Sequence, residues 1–354
     1  MIRVLVADDS ATARALLVSI LSAERDIVVV GEARTGTEAV ELAERLMPDL
    51  ITMDVHMPEL DGLEATKQIM TRSPRPILVV SSATGSDVAL SLDATRAGAL
   101  MAIAKPSGEQ SPSHDSERRQ LVNMVRALAH VKVVRRHGGP SHATIAPMSA
   151  STATPASFRA ASASVPELLA IAASTGGPAA LRAILADLPK SFPLPILVVQ
   201  HIARGFTLGL AQWLDGASAL HVKVAELTEE VRPGVVYIAP DDRHLGVRRD
   251  VTGILRIQLD SAAQVGIFRP SATYLFHSCA ESVGRGVLAL ILTGMGDDGV
   301  DGLRHVRRTG GRILAQDEAS SVIYGMPREA QRAGIVDQVV ALDDVARRLR
   351  EIAS

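Results

Sequence analysis

Four apolar runs near the start of the chain end on groups that bind cations or phosphate. Asp8 and Asp9 follow "IRVLVA", Asp54 closes "DLITM", Ser81 closes "RPILVV", and Lys105 follows "LMAIA". Clustered carboxylates repel one another unless a cation joins them, and an all-oxygen donor set favours Mg²⁺. A Mg²⁺ held by Asp8, Asp9 and Asp54 would suit phosphoryl transfer onto Asp54, with Lys105 neutralising the added charge and Ser81 bonding a phosphoryl oxygen. Each residue also has a plainer reading. Asp8 and Asp9 could cap a helix, and Lys105, before Pro106, could be a solvated loop residue. The plain readings become untenable when all of these groups stand at successive run ends.

A second set begins at Ser174, in "LLAIAASTGGPAALRAIL". The stretch lacks both the Lys-Ser/Thr of a phosphate loop and the G-x-G-x-x-G spacing of a dinucleotide fingerprint. As a nucleophile, Ser174 would need a base, an acid to orient that base, and donors for an oxyanion. Five histidines follow. His201 ends an apolar run that would neighbour the run before Ser174. His244 is the second choice of base. His221 starts a run, at the wrong edge, and His277 and His305 fall inside helical patterns, where packing or surface roles are expected. The turn "TGMGDDG" offers Asp297 and Asp298 as the acid. Its glycines Gly294, Gly296 and Gly299 would expose backbone N–H groups such as that of Met295, and Thr175 stands at the helix start after Ser174. Cys279 is a rival nucleophile, but it lies two positions from His277, a spacing that does not bring side chains together on a helix. A small buried hydrophobe is the better reading.

These residues require elements to position them. "IRVLVA", "DIVVVGEA", "DLITMDV", "RPILVVS" and "LMAIAKP" read as strands, with helical periodicity between them and after the last, over "SERRQLVNMVRALAHVKVV". Near-continuous apolar strands alternating with helices predict a parallel sheet covered on both faces, a flavodoxin-like (βα)5 unit over residues 1–130. Carboxyl ends of such strands converge on one crevice. Residues 131–165, rich in Ala, Ser, Thr and Pro without period, read as a flexible tether. From 166 to 354 the alternation resumes as a doubly wound, mostly parallel α/β unit, with one antiparallel hairpin, "GVRRDVTGILRIQLD", turning at Gly253.

Length and composition set further bounds. The 354 residues suit about two domains, and the net charge of −2 makes no electrostatic case for nucleic acid. The region after the tether carries no basic recognition helix, so a DNA-binding output is disfavoured. Apolar stretches are too short or too interrupted for a membrane span. The single cysteine and the absence of a secretory leader suggest the cytoplasm.

The motifs "VLVADDS", "DLITMDVHMPELDG", "VVSSATG" and "AKP" resemble the receiver domain of two-component response regulators. The resemblance implies phosphorylation of Asp54 by a chemotaxis histidine kinase, Mg²⁺ at Asp8, Asp9 and Asp54, and switch roles for Ser81 and Lys105. Receivers commonly carry an aromatic residue three positions before the lysine; here it is Ala102. In the second half, "AASTGGPAAL", "VVQHIARGFT", "YIAPDDRHL", "RPSATYLFHSCAESVG", "ILTGMGDDGVDG" and "AQDEASSVIYGMPREA" resemble the catalytic domain of chemotaxis protein-glutamate methylesterases of the CheB type. That resemblance implies a triad of Ser174, His201 and Asp298, the acid standing just before Gly299. It implies hydrolysis of glutamate γ-methyl esters on methyl-accepting chemotaxis receptors without a cofactor, with glutamine deamidation by the same acyl chemistry. The expected form is a monomer whose unphosphorylated receiver covers the Ser174 site.

Overall fold

The structure, a computed structural model, describes residues 1–82, 85–108, 110–131, 133, 165–266 and 268–354. Residues 134–164 of the expected tether lie outside the described residues. The first unit alternates β1 (Ile2–Ala7), α1 (Ala11–Ser22), β2 (Ile27–Ala33), α2 (Gly36–Leu46), β3 (Leu50–Met53), α3 (Gly62–Arg72), β4 (Ile77–Ser81), α4 (Gly85–Ala97), β5 (Met101–Ala104) and α5 (His114–Leu128). Its five strands are parallel, in the order β2-β1-β3-β4-β5. β3 and β4 are buried along their whole length, as strands covered on both faces must be. Side-chain oxygens start three of the helices. Ser10 accepts from Ala13 N, Thr35 from Glu38 N and Asp61 from Glu64 N. α5 is shorter than the sequence suggests, stopping at Leu128 before the β-branched "VKVV".

The second unit runs β6 (Leu168–Ala173), α6 (Gly177–Asp187), β7 (Ile196–Gln200), α7 (Thr207–Asp215), β8 (His221–Val224), β9 (Val235–Ile238), β10 (His244–Arg249), β11 (Leu255–Asp260), α8 (Ala272–Val283), β12 (Val287–Ile291), α9 (Val300–Thr309), β13 (Arg312–Gln316), α10 (Met326–Arg332), β14 (Gln338–Val340) and α11 (Leu342–Ala353). Seven strands form a parallel sheet in the order β14-β13-β12-β6-β7-β9-β8, while β10 and β11 pair separately and antiparallel. The α/β class, the parallel sheets and the hairpin match the sequence reading. β6 is central, with β12 on one side and β7 on the other. All six of its residues are buried, as are all five of each neighbour.

The two units meet along α4 and β5 of the first and α6 and α7 of the second. Trp213 Nε1 on α7 donates to Asp93 Oδ1 on α4 at 2.9 Å. Gly209 on α7 lies so close to α4 that an added Cβ would stand 2.4 Å from Val88 Cγ1. Thr175 Oγ1 approaches Met101 Sδ on β5 at 3.8 Å.

Candidate active site

The carboxyl ends of β6, β7 and β12 carry the second-half candidates. Ser174 follows β6, His201 follows β7, and Asp298 lies in the turn after β12. Parallel pairing sets Ala173 opposite Gln200 and Ala172 opposite Ile291, so the three ends are level. His201 Nε2 stands 2.9 Å from Asp298 Oδ2. Ser174 and His201 line one cavity with Gly176, Pro178, Gln200 and Ile202. Ser174, His201 and Asp298 are nearly buried residues, at 7%, 9% and 6% exposure, so charges on them act in a medium of low dielectric.

The two acid candidates separate by burial. Asp297 is exposed, whereas Asp298 accepts from Ser271 Oγ at 2.8 Å, Ala272 N at 2.7 Å and Thr273 N at 3.1 Å, besides meeting His201. The backbone donors belong to the start of α8, where unpaired N–H groups favour an anion. Burial by itself would raise the Asp298 carboxyl, but His201 and these donors outweigh it and hold the group down at about 2. His201 Nδ1 is buried without a hydrogen-bond partner among the described residues, and Phe268 stacks on the ring with centroids 4.1 Å apart.

The remaining candidates drop out. His244 accepts from Ser271 N at Nδ1, 3.2 Å, and donates from Nε2 to Ala263 O, 3.1 Å, so both ring nitrogens are occupied. His221 begins β8 and pairs with Asp215. His277 and His305 lie on α8 and α9, as expected. Cys279 is fully buried, and burial pushes its thiol far above the ordinary range.

Close backbone approach explains the glycines. Gly176 adopts φ +79 as the cap of α6, a conformation costly for other residues. A Cβ on Gly294 would stand 2.6 Å from Ser174 Cβ and 2.5 Å from Met326 Sδ, which brings the 294–296 turn against Ser174. Thr293 Oγ1 donates to Thr175 O at 2.9 Å and ties the two turns together. Gln200, Ser271 and Phe268 were not singled out by sequence. Gln200 Nε2 bridges Ser174 O, 2.8 Å, and His201 O, 2.9 Å. Ser271 caps α8, its Oγ accepting from Tyr274 N, and the same hydroxyl donates to Asp298.

In the first unit, Asp8, Asp9 and Asp54 bring three carboxylate oxygens within 4.8 Å of one another. Lys105 Nζ lies 2.8 Å from both Asp54 Oδ2 and Asp8 Oδ2. Burial pushes the Asp54 carboxyl up against the opposing bond from Lys105. Ser81 Oγ is buried with no hydrogen-bond partner among the described residues, an orphan that a phosphoryl oxygen would satisfy. All-oxygen donors and a neighbouring ammonium fit Mg²⁺ and a phosphoryl group.

A receiver-type unit with an acidic pocket, packed against a second unit that gathers a serine, a histidine and an aspartate, defines a response regulator with an enzymatic output. The CheB methylesterase model matches residues 169–349, and the response regulator receiver domain model matches residues 4–112. The chain is 54% identical over 348 residues to a protein-glutamate methylesterase/protein-glutamine glutaminase of Myxococcus xanthus, covering 98% of this chain and 96% of the relative. It is 50% identical over 349 residues to one of Anaeromyxobacter dehalogenans, covering 99% and 98%. The crystal structure of the Thermotoga maritima CheB methylesterase catalytic domain superposes with a TM-score of 0.52 at 41% identity, covering 53% of this chain and 98% of that domain. The chain belongs to the CheB methylesterase family. Among the described residues, no helix is long and apolar enough to cross a membrane.

Proposed function

We propose that the chain hydrolyses glutamate γ-methyl esters on methyl-accepting chemotaxis receptors, releasing methanol, and deamidates receptor glutamines by the same route. The carrying observation is the buried His201–Asp298 contact beside Ser174. Asp298 engages Nε2, so the unpartnered Nδ1 is the nitrogen that takes the Ser174 proton. Ser174 Oγ attacks the ester carbonyl. The N–H groups of Thr175 and Met295 stabilise the oxyanion, aided by the positive end of α6. His201 then returns the proton to the departing methanol. Water, deprotonated by His201, cleaves the acyl-enzyme and restores Ser174.

Residues 1–130 act as the receiver, 131–165 as the tether and 166–354 as the enzyme. A histidine kinase supplies the phosphoryl group to Asp54. Asp8, Asp9 and Asp54 would hold a Mg²⁺, which would supply charge neutralisation there, and Lys105 and Ser81 hold the added oxygens. The unphosphorylated receiver inhibits by position: Leu92, Thr95, Leu100, Met101 and Ala102 complete the wall of the cavity lined by Ser174 and His201. Phosphorylation weakens that contact and shifts the population towards an open arrangement. The protein acts as a cytoplasmic monomer. The test is methanol release from methylated receptor by the wild type and by Ser174→Ala. An unchanged rate in a folded Ser174→Ala protein would remove Ser174 from the chemistry.

A further inference from the structure

A second group of metal-ligating side chains stands apart from both sites. His277 and Glu281 lie one turn apart on α8 and share a face. His305 on α9 meets them from the side. Gly302 lets the helices approach, because a Cβ there would stand 2.5 Å from Thr273 O. The two imidazoles stack with centroids 4.2 Å apart, and His277 Nδ1 lies 3.5 Å from Glu281 Oε1. One ligand atom from each residue falls within 4.8 Å of the other two. Neither the ester chemistry nor the phosphoryl pocket uses these groups.

Two imidazoles and one carboxylate form a donor set for a borderline cation, unlike the all-oxygen set at Asp54. Arg308 donates to His305 Nδ1 at 3.1 Å, so that nitrogen carries a lone pair and the ring is neutral. The guanidinium is exposed and can swing into solvent. His277 and Glu281 are exposed too, so an ion can enter without unfolding. We propose that His277, Glu281 and His305 bind Zn²⁺, with water as the fourth ligand, once the rings rotate from stacking to converge. The ion would staple α8 to α9. The first residues of α8 bond Asp298, which stands two positions before α9, and Gly299 N donates to Thr273 Oγ1 between them at 2.8 Å.

The test is calorimetric titration of Zn²⁺ into the full chain with Mg²⁺ in large excess to occupy the Asp8–Asp9–Asp54 oxygens. One Zn²⁺ site is expected to persist. Its affinity should fall by more than about tenfold in His277→Ala and in His305→Ala, since loss of even an outer-shell partner costs that much. Zn²⁺ should also raise the Tm of the wild type and leave that of the His277→Ala/His305→Ala double variant unchanged. Matching metal-free Tm values check that these surface substitutions keep the fold. Failure of Zn²⁺ to bind in excess Mg²⁺, or equal affinity in the double variant, overturns the site.

Discussion

His201 has one ring nitrogen committed to Asp298, and the proposed role of that pair can be measured at the residue scale. Asp298→Asn would keep the shape of the site but lose the negative charge that steadies the imidazolium. The expected loss in kcat is about 10³–10⁴-fold, read as methanol release. The same carboxyl is held at about 2, below its unfolded value near 4, so its ionisation stabilises the fold above pH 4. That contribution, on the order of 2 kcal/mol, is lost as pH falls from about 4 through about 2. Acid unfolding of the wild type against Asp298→Asn should show the difference shrinking in that window. An acid limb of kcat/KM above pH 5 therefore belongs to a group other than Asp298. The residues of "GDDG" by themselves left Asp297 and Asp298 open as acids, because adjacent aspartates look alike until burial separates them. Gln200, Phe268 and Ser271 were illegible for a related reason. Their roles exist only as contacts between segments far apart in sequence.

At the scale of elements, the glycine turns govern how close the strands' ends can come. Gly294→Ala would drive a methyl into Ser174 Cβ and Met326 Sδ. It should destabilise by about 1–3 kcal/mol, because both neighbours are packed, and it should lower kcat more than KM. Thermal unfolding and single-turnover methanol release would check the two halves of that expectation. The long strands and helices were legible because apolar runs and caps coincide, as at Ser10, Thr35 and Asp61. α10 and β14 were not. α10 spans only seven residues, mostly polar, and is anchored by Met326 and Ala330, while β14 has three residues, too few for a period to show.

At the scale of the whole molecule, the receiver and the enzyme share a wall. Trp213→Phe would delete the bond to Asp93 and keep most of the ring packing, including the face under Arg182. A hydrogen bond of about 0.5–1.5 kcal/mol implies roughly 2–10-fold more turnover from the unphosphorylated chain. The rate with a phosphodonor should stay unchanged. Ala102→Phe, which inserts a ring into the wall of the cavity that Ser174 also lines, should release the unphosphorylated enzyme further. The departure at position 102 was legible in sequence, but its place in that wall was not. The level ends of β6, β7 and β12 carry one more consequence. Ser174, His201 and Asp298 follow three neighbouring strands, and a one-residue slip of any one would turn its side chains to the opposite face. Catalysis is thus a gauge of assembly. In refolding, backbone circular dichroism can recover while pairing is still wrong, but methanol release returns only when β12 has found β6 across more than a hundred intervening residues.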